Sequence, residues 1–238
     1  MTLNLPDCCS PLDSTWPFAD ALPGVVIRSC RFDPALFAAD DLQRCAIPAP
    51  DNIQRSVAKR QSEFLAGRLC ARDALLALTG SPEVPALGED RAPVWPAGIT
   101  GSISHGHGLA TALVARSDQW RGLGLDLEEP LTATRAQRLA KQLLTEPELQ
   151  RLAGLSPEQQ AERITLTFSI KESLFKALYP LVGKRFYFQD AELLECDGVR
   201  ARLRLLIDLS EEWTAGRELD GYHCMFQGRL LSLVAIPA

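Results

Sequence analysis

Two α+β lobes of similar size are what this 238-residue sequence predicts. Each half sets one strong helix pattern beside several strand patterns. The helices are followed by antiparallel strands rather than alternating with them one for one, as a doubly wound sheet requires. A boundary within residues 116–130 then leaves comparable halves, 1–120 and 121–238, with no exact internal repeat.

Residues 1–24 hold Pro6, Pro11, Pro17, Pro23 and Gly24 and read as an irregular arm. Val25 to Phe32 reads as a short strand. Ser56 to Leu78 is the longest helix pattern, with Phe64, Leu65, Leu69, Leu75 and Leu76 as its stripe and Gly80, Pro82 and Pro85 as its end. Between Pro82 and Gly98 the chain is rich in turns, and Arg91-Ala92-Pro93-Val94-Trp95-Pro96 excludes regular helix. Leu109 to Ala115 and Arg121 to Glu128 read as strands flanking a polar turn, which predicts a hairpin. Three helix signals follow: Ala133 to Leu144, the cap patterns at Thr145 and Ser156 with Glu148 and Gln159 three positions on, and Phe168 to Tyr179, stopped by Pro180. Strands are predicted near Arg185 to Glu195, Val199 to Ile207, Tyr222 to Phe226 and Leu230 to Ile236, with turns at Gly198 and Gln227-Gly228.

Composition narrows the function classes. A chain 46% hydrophobic and 23% charged has the makings of a globular core rather than of disorder. The net charge of -5 gives no general attraction for nucleic acid. Apolar stretches are broken well before the ~20 residues of a membrane helix, so no stable membrane association is expected. The first residues lack a basic stretch followed by an apolar run, and a cytoplasmic protein is expected. Seven cysteines without a C-x-x-C pair point to reduced thiols, with an exposed thiol conceivable at Cys8-Cys9.

Four segments bear chemistry. In Gly122-Leu123-Gly124-Leu125-Asp126-Leu127-Glu128 the two-residue period of a strand puts Asp126 and Glu128 on one face and the leucines on the other. Paired carboxylates suit a Mg2+ ion that keeps some of its waters; a solvated strand end is the plainer alternative. In Phe168 to Ala177, Glu172 and Lys176 stand four apart on one helix side, as a third acid with its lysine or as an ordinary surface ion pair. Arg55, Lys59, Arg60, Arg68 and Arg72 against Glu63 alone give a basic helix able to attract a polyphosphate, although i,i+4 pairing and snorkelling also account for such charges. Gly101-Ser102-Ile103-Ser104-His105-Gly106-His107-Gly108 sets hydroxyls and imidazoles among small residues, which suits phosphate oxygens without being a P-loop. No spacing supports a zinc site, and the adjacent Ser104 and His105 point to opposite faces, against a hydrolase triad.

Together, KRQSEFLAGRLCAR, RAPVWPAGITGSISHG, GLGLDLE and FSIKESLFKALYP closely resemble the siderophore-type 4'-phosphopantetheinyl transferases, relatives of the enterobactin enzyme and, more distantly, of the surfactin-synthetase-activating enzyme. The resemblance runs from about Arg55 to Asp190. It implies the fold of that family, two similar lobes related by a pseudo-twofold axis, with coenzyme A bound between them. By the same resemblance Asp126, Glu128 and Glu172 are the metal set for Mg2+, with Leu127 unable to ligate and water filling its place. Lys176 is the motif lysine that engages phosphate, and Lys171 shapes or neutralises the same region. His105 meets the 3'-phosphate; Arg60 and Arg91 grip the adenosine phosphates, with Lys59, Arg68 and Ser104 completing the coenzyme A set.

The reaction so implied moves 4'-phosphopantetheine from coenzyme A to a serine of an apo acyl or peptidyl carrier protein and releases 3',5'-ADP. Glu172 or a bound water accepts the serine proton, and Glu172, Lys176 and Asp126 form the catalytic group. Leu139 to Leu155, with Arg138, Lys141 and Arg151, is a surface for an acidic carrier, or its leucines are core. A monomer is expected. The competing readings are a magnesium-dependent nucleotide phosphohydrolase and a non-catalytic coenzyme A-binding module.

Overall fold

The computed structural model describes residues 5–89 and 91–238, which divide into two compact α+β units. One takes in Leu22–Trp120 and the arm ending at Trp16; the other takes in Arg121–Pro237 and Pro17–Ala21.

The first unit runs β1 (Val26–Arg31), α1 (Asp41–Arg44), α2 (Asp51–Gln54), α3 (Ala58–Thr79), β2 (Ala86–Leu87), β3 (Pro93–Val94), β4 (Ile99–Gly106) and β5 (Leu109–Arg116). Its main sheet is antiparallel in the order β1-β5-β4, with Val26 opposite Val114 and His105 opposite Ala110. Helix α3 lies across it. Phe64 through Arg72 are buried without a break, so the expected stripe is widened into a helix buried nearly all round. Gly80, at φ 80°, closes it with its N–H on the Leu76 carbonyl. Gly101 is fixed by crowding: a Cβ there would stand 2.6 Å from the Leu113 carbonyl oxygen and 2.8 Å from the Trp95 ring. The Pro-rich segment thereby packs its Trp95 on β4.

Two expectations fail in this unit. Leu109–Arg116 does not form a hairpin with the strand after it. Its partner is β4, joined through His107 and Gly108, both left-handed (φ 51° and 77°), as a tight I′ turn requires. With β1 on its other side, β5 has no edge left to pair. Nor are Cys8 and Cys9 exposed: both are buried, in a core shared with Cys30, Cys45 and Cys70. Contacts with neighbouring thiols and then burial hold both thiols above their ordinary value, which keeps them protonated and unreactive.

The second unit runs β6 (Trp120–Glu128), α4 (Ala133–Leu143), α5 (Glu146–Gln150), α6 (Pro157–Val182), β7 (Ala191–Cys196), β8 (Arg200–Leu205), β9 (Glu218–Phe226) and β10 (Arg229–Pro237). Its five-stranded sheet has the order β6-β10-β9-β8-β7. Strands β9 and β10 turn through Gln227-Gly228, again with both φ positive. Ile170, Leu174, Ala177 and Leu178 of α6 fill the core over this sheet with Leu203, Leu205 and Val234.

The helix signals at Ser156 and Phe168 belong to one 26-residue helix. A complete capping box starts it, with Ser156 Oγ accepting from Gln159 N and the Gln159 side chain accepting from Ser156 N. Pro180 does not stop it: the helix runs on to Val182, and Gly183, at φ 62°, ends it. The strand expected from Arg185 begins only at Ala191, after a 3-10 turn over Phe188–Asp190. Leu143, Leu144 and Leu152 are buried in a core of α4, α5 and α6, so these three are core, while Leu139 and Leu149 are half-buried and packed on them.

Candidate active site

In β6 the residues Gly122, Gly124, Asp126 and Glu128 share one face by the strand period. That face meets the ridge of α6 formed by Ser169, Ser173 and Ala177, each four residues from the next. A Cβ on Gly124 would fall 1.8 Å from the Ser173 carbonyl oxygen, and one on Gly122 would fall 2.4 Å from that of Ala177. Only glycine lets the strand lie this close to the helix backbone. Leu123, Leu125 and Leu127 are buried from the other side.

The close approach delivers Asp126, 4% exposed, to two donors. Lys176 Nζ donates to its Oδ1 at 2.6 Å and to the Leu125 carbonyl at 3.0 Å; Ser169 Oγ donates to its Oδ2 at 3.0 Å. Glu128 is pushed up to about 7, first by burial and then by the Asp126 charge, with Glu172 adding to the repulsion and Lys176 and Arg135 opposing it. Glu172 is also raised, chiefly by burial, with Lys176 pulling down and Asp126 pushing up. The three acids thus feel one another, and Lys176 acts on all of them. Among the described residues, no three His, Cys, Asp or Glu side chains are gathered closely enough to cage a metal ion unaided.

Lys171 departs from expectation. It is buried on another side of α6, where its ammonium donates to Glu148 Oε2 (2.6 Å), the Phe188 carbonyl (2.8 Å) and the Leu143 carbonyl (3.1 Å). Three donors with three internal acceptors make it a structural pin, not a phosphate ligand. Burial lowers its pKa and Glu148 opposes the shift. Glu148, which the sequence marked only as a capping residue, also accepts from Leu193 N at 2.6 Å and so ties α5 and α6 to β7. Beside Glu172, Phe175, Phe186, Tyr187 and Phe188 wall an open cavity of about 190 Å3. A larger depression of about 320 Å3 on β7, β8 and β9 is lined by charges that pair with one another, such as Arg202 with Asp220, and lacks this acidic set.

In the first unit, Gly67 brings α3 against β4: a Cβ there would lie 2.9 Å from Ile103 and 3.7 Å from the His105 ring. Arg60 Nη1 reaches His105 Nε2 at 3.2 Å and Glu63 Oε2 at 3.4 Å. Guanidinium only donates, so Nε2 accepts and the ring proton sits on Nδ1, 3.8 Å from Glu63 Oε2. Glu63, which accepts from Arg60 and stands 3.8 Å from the ring, places a negative charge beside the histidine, a feature that spacing alone did not reveal. Arg68, 5% exposed, lies over the Phe64 ring, and its Nη2 reaches the Ala86 carbonyl at 3.4 Å. Its Nε has no hydrogen-bond partner among the described residues, and burial with the nearby Arg60 lowers it to about 10. A buried cation so weakly satisfied fits an anion. Lys59 and Arg91 are exposed, Arg91 in a left-handed turn at φ 71°. Ser104 is buried and its register puts it on the sheet face opposite His105, so the structure does not bring these two side chains together.

Two family descriptions match the chain: the 4'-phosphopantetheinyl transferase N-terminal domain over residues 49–115, and the 4'-phosphopantetheinyl transferase superfamily over residues 122–227. The chain belongs to the 4'-phosphopantetheinyl transferase superfamily. It is 42% identical to enterobactin synthase component D of Escherichia coli O157:H7, over 68% of this chain and 72% of the relative. It is 37% identical to the 4'-phosphopantetheinyl transferase Svp of Streptomyces mobaraensis, over 79% and 76%. It is 36% identical to the 4'-phosphopantetheinyl transferase PptT of Mycobacterium tuberculosis, over 68% and 73%. The superfamily match contains Asp126, Glu128, Glu172 and Lys176; the N-terminal match contains Arg60, Arg68 and His105.

Proposed function

We propose that this chain transfers the 4'-phosphopantetheine group of coenzyme A to a serine of an apo acyl or peptidyl carrier protein, releasing 3',5'-ADP. The observation that carries this is the set of Asp126, Glu128 and Glu172 sharing Lys176 at the β6–α6 contact, inside the superfamily match.

Three carboxylates in mutual repulsion with one ammonium among them fit a hard divalent cation. Mg2+ is such a cation: it takes oxygen ligands, needs only one or two carboxylates, and completes its shell with phosphate oxygens and water. Asp126, Glu128 and Glu172 are the residues proposed to hold it. When bound, Mg2+ offsets the charge of the diphosphate and of the departing phosphate.

In the transfer, the carrier serine oxygen forms a bond to the β-phosphorus of coenzyme A. The bond from that phosphorus to the bridging oxygen breaks, and 3',5'-ADP leaves with the electron pair. Glu172, whose burial raises its affinity for a proton, takes the serine proton directly or through a water. Lys176 offsets charge developing on the leaving group. Arg60, Arg68 and His105 are the proposed ligands of the 3'-phosphate, supported by the buried, weakly satisfied Arg68 and by the Arg60–His105 contact. Lys59 and Arg91, both exposed, add long-range attraction for the same polyanion.

The test incubates the protein with coenzyme A, Mg2+ and an apo carrier domain and reads the carrier by intact mass. Addition of one phosphopantetheine group is expected with the wild type and about 10²–10⁴-fold slower with Glu172→Gln. No addition to any of several carrier types, or release of phosphate from coenzyme A without a carrier, overturns the proposal in favour of binding alone or hydrolysis.

A further inference from the structure

Three serines that the reaction above does not use lie in a row behind Asp126. Ser169 and Ser173 stand about one turn apart on α6, Ser232 is on β10, and each is 0% exposed. Ser169 Oγ is 3.0 Å from Asp126 Oδ2 and 2.7 Å from Ser232 Oγ. Ser232 Oγ is 2.8 Å from Ser173 Oγ, which lies 3.0 Å from the Ser232 carbonyl oxygen.

Counting protons gives this row a direction. Each hydroxyl has one proton, and an ionised carboxylate only accepts, so Ser169 donates to Asp126. Ser169 Oγ is then the acceptor for Ser232. The Ser232 proton being used, Ser173 supplies the donor at the far end, shared between Ser232 Oγ and the Ser232 carbonyl. The three O–H dipoles run head to tail toward Asp126, and in such a chain each bond polarises the next. Buried hydroxyls destabilise a core unless they are satisfied. Here they satisfy one another, and the chain ends on Asp126.

We propose that Ser173, Ser232 and Ser169 form a positioning chain that fixes the carboxylate plane of Asp126, with Ser232 linking that carboxylate to β10. The inference rests on the reading of Asp126 as a metal ligand. Lys176 restrains Oδ1 and Ser169 restrains Oδ2, so the carboxylate does not rotate and the directions it offers a cation are set in advance. Ser232 is 106 positions from Asp126 in the sequence and belongs to none of the motifs above.

The experiment titrates the full chain, with coenzyme A present and no carrier, with Mn2+ and follows the free ion by electron paramagnetic resonance. Ser232→Ala is expected to weaken Mn2+ binding about three- to tenfold, the equivalent of one neutral hydrogen bond. Ser169→Ala, which removes the direct contact, is expected to weaken it about 10–100-fold. Coenzyme A binding without metal should be unchanged in both. Ser232→Cys, with a similar volume and a weaker donor, should fall between Ser232→Ala and the wild type; it carries the test should the alanine variant fail to fold. Unchanged Mn2+ affinity in the folded variants, or an equal loss in metal-free coenzyme A binding, overturns the positioning chain alone. Failure of the wild type to bind Mn2+ overturns the reading of Asp126 and the chain with it.

Discussion

Replacing Gly124 by Ala tests the contact on which the acidic site is built. The added methyl would sit 1.8 Å from the Ser173 carbonyl oxygen, 2.6 Å from Ala177 N and 2.8 Å from the Ser173 carbonyl carbon. All three are backbone atoms inside a 26-residue helix, so no side chain can swing aside. Reaching ordinary contact at about 3.4 Å requires β6 and α6 to part by roughly 1.6 Å at this point. Such a separation carries Asp126 away from both Lys176, now at 2.6 Å, and Ser169, now at 3.0 Å. Overpacking of this kind costs about 1–3 kcal/mol, and a lost hydrogen bond to a charged group adds about 1.5–3 kcal/mol. The expected destabilisation is therefore on the order of 3–5 kcal/mol, read by urea unfolding. Gly198→Ala is the control, because nothing lies within 4 Å of a Cβ there and its φ is not left-handed; it should be neutral or slightly stabilising. Wild-type stability and wild-type Mn2+ binding in Gly124→Ala would refute the steric account of the G-x-G-x-D motif.

Other outcomes follow from single contacts. Lys171→Met leaves the Glu148 carboxylate buried without its ammonium and should cost about 3–5 kcal/mol in urea unfolding, with much of it recovered by adding Glu148→Gln; equal stabilities for the single and double variants would contradict the buried pair. Glu128 binds its proton more tightly folded, at about 7, than unfolded, near 4.5. Its contribution is thus fully present below pH 4.5 and is lost as pH rises through 7, so metal-free wild type should lose melting temperature over that window relative to Glu128→Gln; parallel profiles would exclude the shift. His105→Ala should weaken coenzyme A more than 3'-dephospho-coenzyme A in calorimetric titration, whereas equal losses would remove His105 from the 3'-phosphate.

Some of this arrangement was legible because it is local. Alternation along a strand puts Asp126 and Glu128 on one face, and four-residue spacing puts Glu172 and Lys176 on one helix side, whatever packs around them. The caps at Thr145 and Ser156 and the turn at Gln227-Gly228 are equally short-range, and each appears where its residues stand. The β4–β5 hairpin is hidden in the sequence because His107-Gly108, its I′ turn, continues the polar Ser/His/Gly pattern of Gly101 to Gly106. Pro180 reads as a stop in the sequence because it lacks an N–H, yet packing of α6 on its sheet carries the helix past it to Gly183.

By itself, then, the sequence determined the α+β class, the family and the local faces on which the charged residues stand, since these follow from backbone periods a few residues long. Tertiary structure decided which partner each face meets. Lys171 and Lys176 lie on one helix, yet one closes on buried Glu148 and the other on Asp126. The glycines of β6 acquire their necessity only against α6, and Ser232 reaches Asp126 only after the chain has folded back through β10. Contacts between positions far apart in the chain depend on packing, and no spacing within a motif encodes them.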